Sequence, residues 1–306
     1  MGITLTSLLL LSLPAHSVIY SWKDENGKTH FGDRVIEGVD QKKVELKVQE
    51  STWKKFDINI NDVDNVLTNM EKMRINRDVN TVYQFFDKIL YFDIYKTVPV
   101  KIRIYKSRKD YQRYITKDGN VRNTNSRGIY FPVTNEIVVY INPKQRWRTF
   151  WTIKHETSHA IVDTVTPFVP AWLNEGLAEN MEAIGVKEKT YILYPHHENY
   201  NTISQALTNG RKLNVKQLLS LSSTDFYKRH EHRDSPHQAF SGELIRMFLS
   251  SKQGKSFITR MMHIYERGSR SYSSNLVDKH YIGGLTILQF NWNDWISRKS
   301  SIQVNL

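Results

Sequence analysis

The chain carries His155-Glu156-Thr157-Ser158-His159 and, after fifteen intervening residues, Glu175 within Trp172-Leu173-Asn174-Glu175-Gly176-Leu177-Ala178-Glu179. On a helix, positions four apart lie about 40° apart around the axis, so His155 and His159 present their imidazoles to one point. Two imidazoles so placed are metal ligands. A catalytic zinc takes three protein ligands and a water, so a third histidine or carboxylate has to come from elsewhere in the chain. Glu175 is the natural candidate. Zinc lowers the pKa of its water toward about 7, yet the attacking water still needs a base. Glu156, next to a ligand, is placed for that.

These residues need two helices to position them. Phe150, Trp151 and Ile153 before the histidines, and Ala160, Ile161 and Val162 after them, are apolar and free of Gly and Pro, which predicts a buried helix. Pro170 and Trp172 open a second helical run through Ala183, in which Glu175, Glu179 and Glu182 recur at helical spacing. Taken alone, those glutamates read equally well as a solvated acidic face. Beside the histidine pair they read as metal chemistry.

With these residues, His155 to Ala160 and Pro170 to Glu179, the chain resembles the gluzincin clan of zinc metallopeptidases, and within it the bacterial peptidase MA-like group. The resemblance covers about residues 150 to 185. It implies that His155, His159 and Glu175 bind Zn2+ and that Glu156 acts as general base and then acid. It also implies that Glu179 and Asn174 hold the outer nitrogens of the ligand histidines, a contact that fixes tautomer and ring orientation. The spacing from His159 to Glu175 is shorter than in the large aminopeptidase and thermolysin-like branches, which are therefore poor guides to substrate.

Upstream, Lys101 to Tyr105 alternates with period two, and Gly128 to Phe131 and Glu136 to Ile141 read as strands around a Pro132 to Asn135 turn. Val63 to Phe92 has the apolar period of an amphipathic helix. In the clan that the chain resembles, such a sheet lies over the zinc and an edge strand holds an extended peptide by main-chain hydrogen bonds.

From Thr202 onward the pattern is mostly helical, with short apolar-periodic segments at Leu213 to Leu221, Gly242 to Leu249 and Phe257 to Tyr265. Attack on a carbonyl creates an oxyanion that needs a second donor, often Tyr or His. Tyr227 and His237 are the candidates carried forward, with His230 and His232 behind them. The pair His196-His197 is weaker, because adjacent residues on a helix point apart.

Leu5 to Leu13 is an apolar run too short to span a bilayer, and Ala15-His16-Ser17 supplies small residues at a signal-peptidase site. Residues 1–17 therefore read as a cleaved secretory signal. The following Val18 to Asp33 contains an Asn26-Gly27 turn between alternating segments, a hairpin signature. A lone hairpin is marginally stable, which calls for a third strand, placed at Val44 to Val48. Residues 18–60 resemble a short N-terminal domain of unknown function found on many proteobacterial envelope proteins.

The 306 residues, 40% hydrophobic and 12% aromatic, suffice for one small and one large domain, read as 18–60 and 61–306. The fold class expected is α+β: a small sheet and the active-site helix, then a mainly helical C-terminal half, preceded by the β-hairpin module. The absence of cysteine excludes disulfides and a lipidated Cys anchor. A net charge of +12 favours weak association with anionic envelope surfaces. The basic residues are scattered and form no nucleic-acid motif, so no nucleic-acid partner is expected, nor a transmembrane segment after signal cleavage. The function expected is a periplasmic or secreted zinc peptidase acting on a peptide or protein substrate. The competing class is a non-enzymatic envelope-binding protein with a structural metal site, but such sites are normally closed by four protein ligands.

Overall fold

A computed structural model describes residues 19–23, 27, 29–32, 35, 38, 40–44, 55–94, 97–117, 125–166, 168–211, 214–228, 236–298 and 303–306. The expected signal segment 1–17 and the candidates His230 and His232 lie outside the described residues. The chain divides between Thr52 and Trp53 into two compact units, upstream of the boundary expected near 60.

In the N-terminal unit, β1 (Ile19–Lys23) is the centre of an antiparallel sheet, with β2 (Thr29–Gly32) on one side and β3 (Lys42–Val44) on the other. Trp22 stands opposite His30, and Ile19 opposite Val44. The third strand that a hairpin needs is thus present. It begins two residues before the stretch predicted for it, whose remainder, 45–48, is outside the described residues.

The second unit opens with β4 (Asn59–Asp62), α1 (Asn69–Lys88), β5 (Lys101–Tyr105), α2 (Arg108–Thr116), β6 (Gly128–Phe131) and β7 (Glu136–Tyr140). Its sheet runs β4-β5-β7-β6, parallel except for β6, which pairs antiparallel with β7 and forms an edge. The helix predicted over 63–92 is shorter at both ends. Asp62 accepts from the Val66 and Leu67 N–H groups at 2.9 and 3.0 Å, which holds the preceding residues in a turn. Thr68 then caps α1: its Oγ1 accepts from Glu71 N–H at 3.2 Å while the Glu71 carboxylate accepts from Thr68 N–H at 2.9 Å.

The period-two reading of β5 holds, Ile102 and Ile104 being fully buried between more exposed neighbours. On β7, Ile137 and Val139 belong to the main core with α1, whereas Val138 faces the other way into a cluster with Tyr111 and Ile115 of α2. Helices on both faces explain why this strand is apolar almost throughout.

The site helix α3 (Arg146–Val165) follows β7 and packs against α1, β6 and β7. Thr149 docks it, its hydroxyl donating to Tyr140 O at 3.1 Å and accepting from Asn142 N–H at 3.3 Å. Gly128 lets β6 approach: a Cβ there would lie 2.6 Å from Thr152 Cγ2, inside van der Waals contact.

After α4 (Ala171–Glu182) come a short antiparallel pair, β8 (Ile184–Lys187) and β9 (Thr190–Leu193), and helices α5 (His197–Thr208), α6 (Val215–Leu219), α7 (Ser223–Tyr227), α8 (His237–Leu249), α9 (Lys252–Glu266), α10 (Ser273–His280) and α11 (Gly284–Ser297). A last strand, β10 (Val304–Asn305), pairs with β9. The fold is mixed α+β with a mainly helical C-terminal half. Helix α4 is clamped against α8 at Gly176, where a Cβ would meet Ser241 O at 2.7 Å, and Asn180 Nδ2 donates to Gly242 O at 2.8 Å. Trp172 is buried and its Nε1–H donates to Ser273 Oγ at 2.8 Å. Truncating such a side chain to Ala costs about 3–5 kcal/mol, so it anchors α4 firmly. Among the described residues no helix is long and apolar enough to cross a membrane.

Candidate metal centre

The two predicted helices lie side by side and put their polar residues into one buried seam. Helix α3 ends where Thr166 N–H donates to Val162 O at 2.7 Å, and Pro170, extended at ψ 149°, starts α4 after the reversal. His155 Nε2 lies 3.5 Å from Glu175 Oε2, and His159 Nε2 lies 3.6 Å from Glu175 Oε1. Zinc bonded at about 2.0–2.1 Å in tetrahedral geometry sets its ligand atoms about 3.4 Å apart, so these three side chains fit a zinc ion with little movement. The three could hold a metal ion.

The outer nitrogens support the same orientation. His159 Nδ1 is 2.9 Å from Asn174 Oδ1, an oxygen that can only accept, so Nδ1 carries the proton and Nε2 offers its lone pair to the centre. Asn174 therefore stands as the resemblance implied. Glu179 is displaced from that role: its Oε1 is 3.9 Å from His155 Nδ1, whereas Glu182 Oε1 is at 2.9 Å. The Glu182 contact is short but lies off the imidazole N–H axis. Glu182 Oε2 is held in turn by His196 Nε2 at 3.1 Å, and His196 Nδ1 accepts from Asn199 N–H at 3.3 Å, which fixes the His196 tautomer. Glu182 was visible in the sequence as the third glutamate of the α4 pattern, two turns after Glu175. His196 was set aside with His197 by the helical pointing rule, which does not apply to it because it acts as the cap of α5.

Glu156 is half-buried, next to His155 on α3 and within reach of Tyr130 on β6. Burial raises its carboxyl pKa, partly offset by His159 and His155 and by the Tyr130 main-chain N–H that donates to it. Burial likewise pushes Glu175 up, but His159, His155 and the Tyr227 hydroxyl outweigh it and bring its pKa to about 2. Glu179 is raised by burial and by the adjacent Glu182 carboxylate. Burial also acts to raise Glu182, yet His155 and His196 hold it well below the usual carboxylate range. The centre thus offers an ionised Glu175 toward the histidines and a less acidic Glu156 beside them.

Of the two oxyanion candidates, the structure brings one to the centre. The Tyr227 hydroxyl, at the end of α7, donates to Glu175 Oε1 at 2.6 Å, and Glu156 lies close enough to raise its pKa further beyond the effect of burial and Glu175. His237 instead directs Nδ1 to Phe226 O at 3.2 Å, its ring tilted 37° to that of Phe226 with centroids 5.6 Å apart. Its neighbour Gln238, which the sequence did not single out, donates from Nε2 to Glu175 Oε2 at 2.9 Å. A glutamine in the first turn of a helix carries no spacing signal, and only the packing of α8 on α4 reveals it.

Residues 6–52 match the family model of DUF4124, a domain of unknown function. No peptidase family model matches the chain. No curated protein matches it either. The matched segment carries none of the residues of the centre.

Proposed function

We propose that the chain is a zinc-dependent peptidase of gluzincin type, acting on a peptide or protein substrate in the periplasm or outside the cell. The observation that carries this reading is the convergence of His155 Nε2, His159 Nε2 and Glu175 at ligand spacing with half-buried Glu156 beside them. Zinc held there would supply Lewis acidity toward a peptide carbonyl and a water of lowered pKa. Glu156 takes the proton of the attacking water and later returns it to the leaving amine, a task that its raised pKa suits. The Tyr227 hydroxyl turns from Glu175 to donate to the developing oxyanion. Strand β6, an edge of the sheet running past Glu156, pairs with the main chain of an extended peptide.

Among the described residues His155, His159 and Glu175 make three candidate ligands, where closed structural sites have four, which favours a catalytic over a structural metal. The DUF4124 match and the positive charge support an envelope location and weak association with anionic surfaces. The test is elemental analysis of the purified full chain joined to cleavage of a mixed peptide library. About one zinc per chain, lost in His155→Ala and Glu175→Ala together with cleavage, is expected. Zinc retained equally by both variants would overturn the ligand assignment, and zinc without cleavage would favour the non-enzymatic alternative.

A further inference from the structure

A cavity of about 820 Å³ lies between α1, α3 and the end of α4, and none of His155, Glu156, His159 or Glu175 lines it. Consecutive residues on a helix point about 100° apart, so α3 sends His155 toward the metal centre and the preceding Lys154 into this other space. Lys154 is 6% exposed, and its ammonium donates to Ile184 O at 3.1 Å. An ammonium has three N–H donors, and a neutral carbonyl leaves its buried charge unbalanced.

Burial opposes the Lys154 charge, as do the cations Arg74 and Arg77, while Asp78 and Glu182 in the wall favour it. Lys55, Arg74 and Arg77 join Lys154, giving four cations against the two carboxylates Asp78 and Glu182. Asp78 is shared by Arg74 at 3.3 Å and Arg77 at 3.1 Å, and Glu182 is taken by His155 and His196. The cavity is of the size that holds small ligands, and its wall has an excess of positive charge with one cation set deep inside.

We propose that this cavity binds a small multiply charged oxyanion, a phosphate ester or a di- or tricarboxylate, with Lys154 as its buried anchor and Arg74 and Arg77 at its mouth. Oxyanions of either kind meet an ammonium and guanidinium groups with the same charge-assisted hydrogen bonds. The inference does not depend on the reaction proposed above, since the cavity and the metal centre share only the back of Glu182.

Titration calorimetry on the full chain, with inorganic phosphate and citrate as probes at constant ionic strength, tests it. Saturable binding of one anion per chain is expected, weakened at least tenfold in Lys154→Met and measurably in Arg74→Gln. Tighter phosphate binding would point to a phosphate ester, tighter citrate binding to a carboxylate. Should Lys154→Met lack a cooperative unfolding transition, Arg74→Gln and Arg77→Gln at the mouth carry the comparison. No saturable binding of either probe, or affinities unchanged in the variants that fold, would overturn the proposal.

Discussion

His155 and Glu182, on neighbouring helices, meet with Nδ1 and Oε1 2.9 Å apart, and the other carboxylate oxygen of Glu182 is held by His196. This makes Glu182, three residues beyond the glutamate that the motif singles out, the acidic partner of the first candidate metal ligand. Outer partners of this kind set ligand orientation and basicity.

Glu182→Gln is therefore expected to weaken zinc binding about 10- to 100-fold, in the range found when such partners are removed. Glu179→Gln should do less, because its carboxylate stands 3.9 Å from the ring. Competition with a chelator of known affinity measures both. A larger loss in the Glu179 variant would reverse the assignment.

Glu156→Gln keeps size and neutralises the base. Zinc content should stay at the wild-type level while peptide hydrolysis falls by several orders of magnitude, since the attacking water loses its proton acceptor. Hydrolysis within tenfold of wild type would remove Glu156 from the mechanism.

Tyr227→Phe removes a hydroxyl that now rests on Glu175. If that hydroxyl moves to the oxyanion, kcat should fall about 10²- to 10³-fold with KM nearly unchanged and zinc retained. His237→Ala should leave kcat within about threefold if its ring only supports Phe226. The two rate profiles, measured beside zinc content, separate a donor from a scaffold residue.

Removing the metal should also destabilise the fold. At free zinc one hundredfold above Kd, binding contributes about 2.7 kcal/mol, which for a unit of this size is about 5–10 °C in Tm. Calorimetric scans with and without chelator give the value. An unchanged Tm in a protein shown to hold zinc beforehand would mean that the three ligands do not bind it in the folded state.

Export has a direct readout. The apolar run and Ala15-His16-Ser17 give an expected mature N terminus at Val18, which intact-mass measurement on protein from the envelope fraction tests. A full-length species confined to the cytosol would contradict the proposed location.

Local geometry follows from residue order alone. A four-residue interval between histidines on a helix and a 4- then 3-residue interval between glutamates on the next are consequences of 3.6 residues per turn, so His155, His159, Glu175 and even Glu182 could be found by counting. Strand β5 was legible for a similar reason, because alternation with period two needs no partner to be recognised, and β6 and β7 were read around the turn between them, whereas β4, β8, β9 and β10 were not read. The tertiary structure decided what counting cannot reach. That Glu182 rather than Glu179 lies closer to His155 depends on how α4 rolls against α3 and α8, which Gly176 and Trp172 fix through contacts distant in sequence. Tyr227, Gln238 and His196 come to the centre from segments whose local patterns carry no chemistry. His237, chosen for its residue type, was drawn to a nearby carbonyl instead. Residue type and spacing set what a side chain can do, and only long-range packing sets which partner it meets.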